Sequence, residues 1–172
     1  MNRQTAKTRA AISQAFNGLV FSRRYDEIRM TDIASAANVG RSTLYQHYPD
    51  KDSILIANMN WVLHGLLQAT RGPAGHAVVQ EVLDHIWDHR AQARHILFGA
   101  TGEKLESALA DAVFQTNGTT SAAEIPAIFT ANQVAAVVFS SLRSWLRAEA
   151  SCPPSDLAQN LCRISVALTG AR

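Results

Sequence analysis

The sequence predicts an all-α protein, and three features of the chain lead to that prediction. Apolar residues recur at intervals of three and four along most of its 172 residues, the spacing that gives a helix one apolar face. No segment shows the sustained two-residue alternation expected of a half-buried strand. Glycine, proline and asparagine stand between the periodic segments, where they end one helix before the next begins.

The predicted helices form two groups along the chain. We expect a three-helix N-terminal domain at residues 1–50, followed at residues 51–172 by a C-terminal helical bundle that dimerises. The first helix, residues 2–23, carries Ile12, Phe16 and Val20 on its apolar face. The helices of the bundle are predicted at 51–69, 76–93, 103–115, 126–150 and 154–168, with a loop after Asn117.

Length and composition exclude several classes of protein. A chain that is 47% hydrophobic and 17% charged has the composition of a folded globular protein. Its two cysteines, Cys152 and Cys162, have no metal-type spacing, so we expect reduced structural thiols, with a redox sensor as the alternative. The chain has no apolar run of about 18 residues and no signal-peptide pattern, so we expect a cytoplasmic protein without a membrane partner.

Positive charge is concentrated at the N-terminus. Residues 1–51 contain eight Lys or Arg against four Asp or Glu, a net charge of +4. Residues 52–172 contain eight against ten, a net charge of −2. A basic first part and a mildly acidic remainder indicate a nucleic-acid-binding domain joined to a domain with a different function.

The stretch from Thr31 to Lys51 predicts two short helices around one tight turn. Thr31 is a suitable N-cap for the first helix, and Asn38 tolerates the left-handed conformation in which helices often end. The second helix, residues 41–48, has Leu44 as its only strong apolar anchor. Two short helices joined by about three or four residues form a helix-turn-helix, so the N-terminal domain is predicted to bind DNA.

The second of these helices carries hydrogen-bonding side chains where a core helix would carry apolar ones. Arginine can pair with guanine through two hydrogen bonds, and serine or threonine can donate to or accept from base edges. Lys51 follows at the start of the next helix, where a cation and a helix N-terminus together suit a phosphate oxygen. The residues predicted to contact double-stranded DNA are Thr31, Arg41, Ser42, Thr43, Tyr45, Gln46, His47, Tyr48 and Lys51.

Three runs of residues in this gap-free window carry a family resemblance. They are T-D-I-A at Thr31–Ala34, A-x-V at Ala37–Val39 and T-L-Y-x-H-Y-x-x-K at Thr43–Lys51. Together they resemble the DNA-binding domain of the tetracycline-repressor (TetR) family. Asn38 and Arg24 stand where that family usually has glycine, and Gly40 stands where it commonly has a Ser or Thr cap. The glycine that the family commonly has at the position of Arg24 can be left-handed, and this conformation would cost a non-glycine residue about 1–2 kcal/mol.

The resemblance implies a transcriptional regulator that acts as a homodimer. It implies a repressor that leaves a palindromic operator when a small-molecule effector binds the C-terminal domain, and it implies neither catalysis nor a cofactor. In the resembled family the effector occupies the core of that domain. We therefore expect an effector pocket in that domain, with His64 and Gln68 as its polar anchors. The residues predicted to line it are Trp61, His64, Gln68, Trp87, Phe98, Phe114 and Phe129. Ordinary core packing of these residues is the alternative.

The last two predicted helices carry more apolar surface than one layer of a monomer requires. In the resembled family such a pair packs against its symmetry mate as a four-helix dimer interface. Periodicity by itself also allows the two helices to pack within one subunit. The residues predicted for the interface are Val134, Val138, Leu142, Trp145, Leu157, Leu161, Ile164 and Leu168.

Glu81, His85 and His89 recur at steps of four on one predicted helix, a spacing that suits metal ligands. They lie on its polar side, opposite Val82 and Ile86, and no fourth ligand is spaced with them, so we interpret them as a solvated face and predict no metal site. The sequence contains no nucleophile elbow and no phosphate-binding glycine loop. A helical metal-dependent enzyme and a scaffold protein without DNA affinity remain as alternative functions.

Overall fold

The computed structural model describes residues 3–117, 126–147 and 152–170, and its regular structure is entirely helical. Two 3-10 segments, Tyr25–Glu27 and Gln68–Gly75, accompany the α-helices. The predicted all-α class is confirmed, and the loop predicted after Asn117 lies outside the described residues. The α-helices are α1 (Arg3–Ser22), α2 (Met30–Ala36), α3 (Arg41–His47), α4 (Lys51–Leu67), α5 (His76–Asp88), α6 (Arg90–Leu97), α7 (Ala100–Asn117), α8 (Ala127–Leu146) and α9 (Pro154–Thr169).

The chain divides into two compact units, an N-terminal unit (Met1–Met59) and a C-terminal unit (Asn60–Arg172). The boundary falls within α4, whereas the sequence suggested a boundary at its first residue. The difference has a physical cause, because the first half of α4 is hydrogen-bonded to the N-terminal unit. Lys51 donates to backbone carbonyls of that unit, and Asn58 donates to a side chain of α1.

The N-terminal unit has a small apolar core built from its first three helices. Ile12, Phe16 and Val20 on α1 are buried, as their spacing predicted. Leu44 is fully buried and is the one buried residue of α3. Burying a side chain of this size contributes about 1.5–3 kcal/mol, so a single anchor holds α3 in place.

Helix α2 begins two residues earlier than predicted, which corrects the role given to Thr31. The N-cap position is Arg29, in extended conformation, and Thr31 lies in the first turn. The carboxylate of Asp32 accepts the backbone N–H of Arg29 at 2.9 Å, so an acidic side chain within the first turn satisfies a donor that the helix leaves free. At the other end Asn38 is left-handed (φ 52°), as predicted. Arg24 is extended (φ −64°), so the strain considered for that position is absent.

The helix predicted at residues 76–93 is two helices, α5 and α6, that meet at His89. His89 leaves the helical conformation (φ −108°, ψ 28°), and no glycine or proline marks the break in the sequence. The new direction allows α6 to pack against both α7 and α8.

Two arginines link the ends of α6 and α8. Arg94 of α6 donates to the carbonyl of Leu146 at 2.6 Å, and Arg143 of α8 donates to the carbonyl of Leu97 at 3.2 Å. Each arginine thus satisfies a carbonyl left without a helical partner at the end of the opposite helix. Arg143 also forms an ion pair with Glu106 at 2.7 Å, which joins α8 to α7.

Helices α8 and α9 supply much of the core of the C-terminal unit. Helix α8 packs on α7 and α9, and α9 packs on α5 and on the 3-10 segment Gln68–Gly75. Most side chains predicted for the dimer interface are thus covered within one protomer, and the interface itself stays a prediction. Val134, Val138, Leu142, Trp145, Leu157 and Leu161 are buried, while Ile164 and Leu168 are half-buried.

Among the described helices, none combines the length and the apolar character needed to cross a membrane.

Two glycines in the C-terminal parts of their helices should respond in opposite ways to the same substitution. A Cβ on Gly65 of α4 would lie 2.2 Å from a methyl group of Val82, which is stiff and 2% exposed. A Cβ on Gly18 of α1 would meet nothing within 4 Å. We expect Gly65→Ala to destabilise the protein by about 1–3 kcal/mol through overpacking, and Gly18→Ala to stabilise it by about 0.5–1 kcal/mol through helix propensity.

Urea unfolding followed by circular dichroism measures both effects, with Gly18→Ala as the matched control. Equal midpoints for wild type and Gly65→Ala would contradict the close packing of α4 on α5.

Candidate nucleic-acid interface

Helix α3 exposes its polar side chains and buries only its anchor. Arg41, Ser42, Tyr45 and Gln46 are exposed, with Tyr45 54% accessible, while Leu44 is 0% accessible. Across the described ranges, no hydrogen bond or ion pair engages the side chains of Arg41, Ser42 or Gln46. Their donors and acceptors are therefore free to meet a ligand.

The remaining predicted DNA contacts lie around this surface. Thr31 is exposed in the first turn of α2, and Thr43, His47 and Tyr48 are half-buried. Helix α3 brings Arg41, Thr43 and His47 together within two turns. Of the predicted DNA contacts, only Thr31 and Lys51 lie outside α3 and the residue that follows it.

The turn between α2 and α3 is fixed by backbone hydrogen bonds. Left-handed Asn38 allows the N–H of Val39 to donate to the carbonyl of Ala34 at 3.0 Å. Gly40 then adopts an extended conformation as the N-cap of α3, and its carbonyl accepts the N–H of Leu44 at 3.0 Å. These bonds set the direction in which α3 leaves the turn, so the geometry is that of a helix-turn-helix.

Lys51 is engaged inside the N-terminal unit. Its ammonium donates to the carbonyls of Tyr25 at 2.8 Å and Ile28 at 3.1 Å. It also lies 4.4 Å from the centroid of the Tyr25 ring, a cation–π distance. Two of its three donors are thus used, and this structural role was not visible in the sequence, where Lys51 suggested only a phosphate contact. A phosphate contact, which stays a prediction, would use the third donor.

The phenol of Tyr25 provides a second link from α4 to the preceding turn. Its hydroxyl donates to the carboxylate of Asp52, and its ring packs edge-on against Phe16 at 6.4 Å. Burial, followed by the hydrogen bond to Asp52 and the negative charge of Asp52, raises the pKa of Tyr25 well above its ordinary value. The phenol therefore stays protonated and keeps its hydrogen bond at physiological pH.

Asn58 provides a third link, between α4 and α1. Its amide donates to Oδ1 of Asn17 at 2.9 Å and accepts the hydroxyl of Ser13. Sequence reasoning missed this residue, although an asparagine among the apolar residues of a helix is a signal that a polar partner lies opposite. With Lys51 and Asp52 it attaches the first half of α4 to the rest of the N-terminal unit.

The surface of the N-terminal unit is rich in cations. Seven of the eight Lys and Arg residues in residues 1–51 are exposed, Lys51 being half-buried. A set of exposed cations around a helix-turn-helix suits the phosphates on either side of a groove. The exposed seven are Arg3, Lys7, Arg9, Arg23, Arg24, Arg29 and Arg41.

The residues predicted to form an effector pocket have different surroundings in the described part of the chain, and their role in binding an effector stays a prediction. Five of them are exposed: Trp61, His64, Trp87, Phe114 and Phe129. The buried aromatic residues of the C-terminal unit are others, Phe139 and Trp145 of α8. The aromatic rings contact different partners: Trp61 packs on His85, Trp87 on Trp145, and Phe98 lies under Arg147. Gln68 is half-buried and donates to the carbonyl of His64 at 3.1 Å.

An open cleft of about 570 Å³ lies elsewhere in the C-terminal unit. None of the seven predicted pocket residues lines it. Its lining residues are Gly72, Pro73, His76, Gln159, Cys162, Arg163 and Val166.

Glu81, His85 and His89 lie on the exposed side of α5 and at its end, as their spacing predicted. The imidazoles of His85 and His89 stack with centroids 4.2 Å apart. Within the described residues, no group of three or more His, Cys, Asp or Glu is placed to hold a metal ion.

Comparison with known proteins gives matches in sequence and in fold. Residues 20–57 match the family model described as bacterial regulatory proteins, tetR family. A TetR transcriptional regulator from Streptococcus agalactiae 2603V is similar in structure, with a TM-score of 0.58 and 24% identity over 95% of this chain and 96% of that one. A comparison with curated proteins found no match.

Two further solved structures share the fold. NalD, the secondary repressor of the MexAB-OprM multidrug efflux pump in Pseudomonas aeruginosa, has a TM-score of 0.56 and 18% identity over 94% of this chain and 96% of that one. A TetR transcriptional regulator from Rhodococcus sp. RHA1 has a TM-score of 0.54 and 14% identity over 95% of this chain and 98% of that one. At such identities these likenesses describe the fold alone, while the sequence match covers the helix-turn-helix.

Replacing Lys51 tests its role inside the N-terminal unit. Lys51→Met keeps a similar apolar stem but removes the ammonium from the carbonyls of Tyr25 and Ile28, so we expect this unit to lose about 1.5–3 kcal/mol. Hydrogen exchange of the amides of residues 3–59 measures the loss, and Lys7→Met, at an exposed lysine of α1, is the control. Wild-type protection in Lys51→Met would contradict the structural role. If Lys51 also contacts a phosphate, the logarithm of the DNA-binding constant of Lys51→Met should fall less steeply with the logarithm of the salt concentration, with a slope smaller by about 0.9.

The raised pKa of Tyr25 predicts that the folded protein loses stability at alkaline pH. Because folding raises its pKa, its contribution is complete below the ordinary value of 10.0 and is lost as the pH rises above that value. In Tyr25→Phe this pH-dependent part is absent. We expect the difference in unfolding free energy between wild type and variant to be constant from about pH 7 to 9 and to shrink above pH 10, measured by urea unfolding. A constant difference up to pH 11 would contradict the assignment.

Proposed function

We propose that this chain is a transcriptional regulator of the tetR family, a repressor that binds a palindromic operator as a homodimer and leaves it when a small molecule binds its C-terminal unit. The observation that carries the proposal is α3, whose polar side chains are exposed and unengaged on a helix-turn-helix that matches the family. The proposal assigns no catalysis and no cofactor to the chain.

Recognition of the operator rests on two kinds of contact. Arg41, Ser42 and Thr43, in the first turn of α3, enter the major groove and meet base edges. The exposed cations of the N-terminal unit meet phosphates, which supplies affinity for any sequence and makes binding depend on salt.

Dimerisation supplies the second half of the recognition. One α3 spans only a half-site, and a two-fold axis places a second α3 about one helical turn of DNA away, so the operator is palindromic. The six buried residues of the predicted interface stabilise the protomer. The half-buried Ile164 and Leu168 of α9 remain accessible to a partner, together with the exposed Ile128 and Phe129 of α8.

Release of the operator requires that the effector distinguish two states of the dimer. A 100-fold change in DNA affinity corresponds to about 2.7 kcal/mol of differential effector binding. Helix α4 is the connection, because Lys51, Asp52 and Asn58 fix its first half to the N-terminal unit while its second half belongs to the C-terminal unit. A displacement of α4 therefore changes the spacing of the two α3 helices.

Arg41→Ala tests base recognition. An operator is first selected from random-sequence duplex DNA by repeated binding to the wild-type protein. We expect Arg41→Ala to bind the selected duplex more weakly by about 1–3 kcal/mol and to lose preference at one position of each half-site, because a bidentate arginine distinguishes guanine from other bases. Binding titrations at two salt concentrations measure both effects.

Arg71→Ala, which removes an exposed arginine of the C-terminal unit, is the matched control. Equal affinity and equal base preference for Arg41→Ala and wild type would contradict the assignment of Arg41. Failure of the wild-type protein to enrich any sequence would contradict the proposed function itself.

A further inference from the structure

The cleft in the C-terminal unit has the size of a small-molecule site. Its volume of about 570 Å³ lies within the range of about 300–1,000 Å³ typical of such sites. One wall is the 3-10 segment through Gly72 and Pro73, together with His76 at the start of α5. The other wall is α9, where residues 159, 162, 163 and 166 share one face because they are spaced by three and four.

The two walls are held in place by contacts between them. Gly72 is left-handed (φ 60°), and a Cβ at this position would lie 2.9 Å from a methyl group of Val166, so the backbone approaches α9 closely. Nε2 of His76 lies 3.2 Å from the carbonyl of Ser155, which ties the start of α5 to the start of α9. The cleft is therefore already formed without a ligand.

The lining combines an apolar body with one charged group. Pro73, Val166 and the buried thiol of Cys162 offer apolar surface, and none of the described residues that line the cleft carries a carboxylate. Arg163 is the only formal cation in the lining, and no hydrogen bond or ion pair engages it within the described parts of the chain. Gln159 precedes it by one turn on the same face and adds an amide that is likewise unengaged.

We propose that this cleft binds an amphipathic carboxylate, with its apolar body against Pro73 and Val166 and its carboxylate on the guanidinium of Arg163. A single guanidinium matches a carboxylate through two parallel hydrogen bonds, whereas a phosphate dianion would leave charge unpaired here. An uncharged ligand would leave Arg163 without a partner. The site lies beside Gln68–Gly75, the segment that directly follows α4, so its effect on DNA rests on the proposed function.

Cys162 provides a reporter inside the cleft. Burial raises the pKa of its thiol, so its alkylation is slow and is followed at about pH 8.5. Cys152→Ser removes the other cysteine and keeps the backbone carbonyl that accepts a hydrogen bond from Nε1 of Trp145. The alkylation and calorimetric measurements use this 172-residue single-thiol protein. Iodoacetamide is the reagent, and octanoate and 1-octanol are matched probes with and without the charge.

We expect octanoate to slow alkylation of Cys162 and to bind by calorimetry at least about fivefold more tightly than 1-octanol. Arg163→Gln should remove this preference and leave the affinity for 1-octanol unchanged, because only the charged contact is lost. Arg90→Gln, at an exposed arginine of α6 outside the cleft, should behave as wild type. Failure of octanoate to protect Cys162, or a preference that survives Arg163→Gln, would overturn the proposal.

DNA binding is measured separately so that the two proposals can fail independently. The wild-type protein is titrated with its selected operator in the absence of any probe, which tests only the proposed function. Octanoate is then added, and we expect it to weaken operator binding in the single-thiol protein at least about fivefold more than in Arg163→Gln. Equal weakening in both, with protection of Cys162 intact, would overturn the link between the cleft and the operator.

Discussion

The arrangement depends most on the polar attachment of α4, a helix shared by two compact units. Lys51 donates to two carbonyls, Asp52 accepts the phenol of Tyr25, and Asn58 joins α4 to α1. Polar contacts of this kind fix direction more strictly than apolar contacts, because each one requires a particular distance and angle. These contacts attach the first half of α4 to the N-terminal unit, in agreement with the place where the chain divides.

Helix α3 shows the compromise that recognition imposes on stability. A helix that presents hydrogen-bonding groups to DNA cannot bury them, so α3 has only Leu44 to hold it against the core. The neighbouring turn compensates, since left-handed Asn38 and the N-cap Gly40 fix the entry of α3 through backbone hydrogen bonds. Stability comes from the turn and from one anchor, which leaves the remaining side chains free for function.

In the C-terminal unit, the apolar and aromatic residues lie in places other than those that the sequence pattern suggests. The apolar stripes of α8 and α9 close the core of one protomer, while several large aromatic residues remain on the surface. The described lining of the cleft likewise contains no aromatic ring apart from the imidazole of His76. The open volume lies where Gly72 approaches Val166 and α9 presents Arg163, and its walls contain proline, valine and a thiol in place of the expected aromatic rings.

The sequence by itself determined the helical class, most helix positions, the helix-turn-helix, the left-handed Asn38 and the single anchor Leu44, because these depend on spacing and on local backbone preference. Tertiary structure alone decided the break at His89, the N-cap at Arg29, the carbonyl partners of Lys51, the burial of α8 and α9 within one protomer, and the cleft. An apolar stripe indicates that one face of a helix is buried, and a charged side chain indicates that it has a polar partner. What covers the stripe and what pairs with the charge are set by residues that are distant in the chain and become neighbours only on folding.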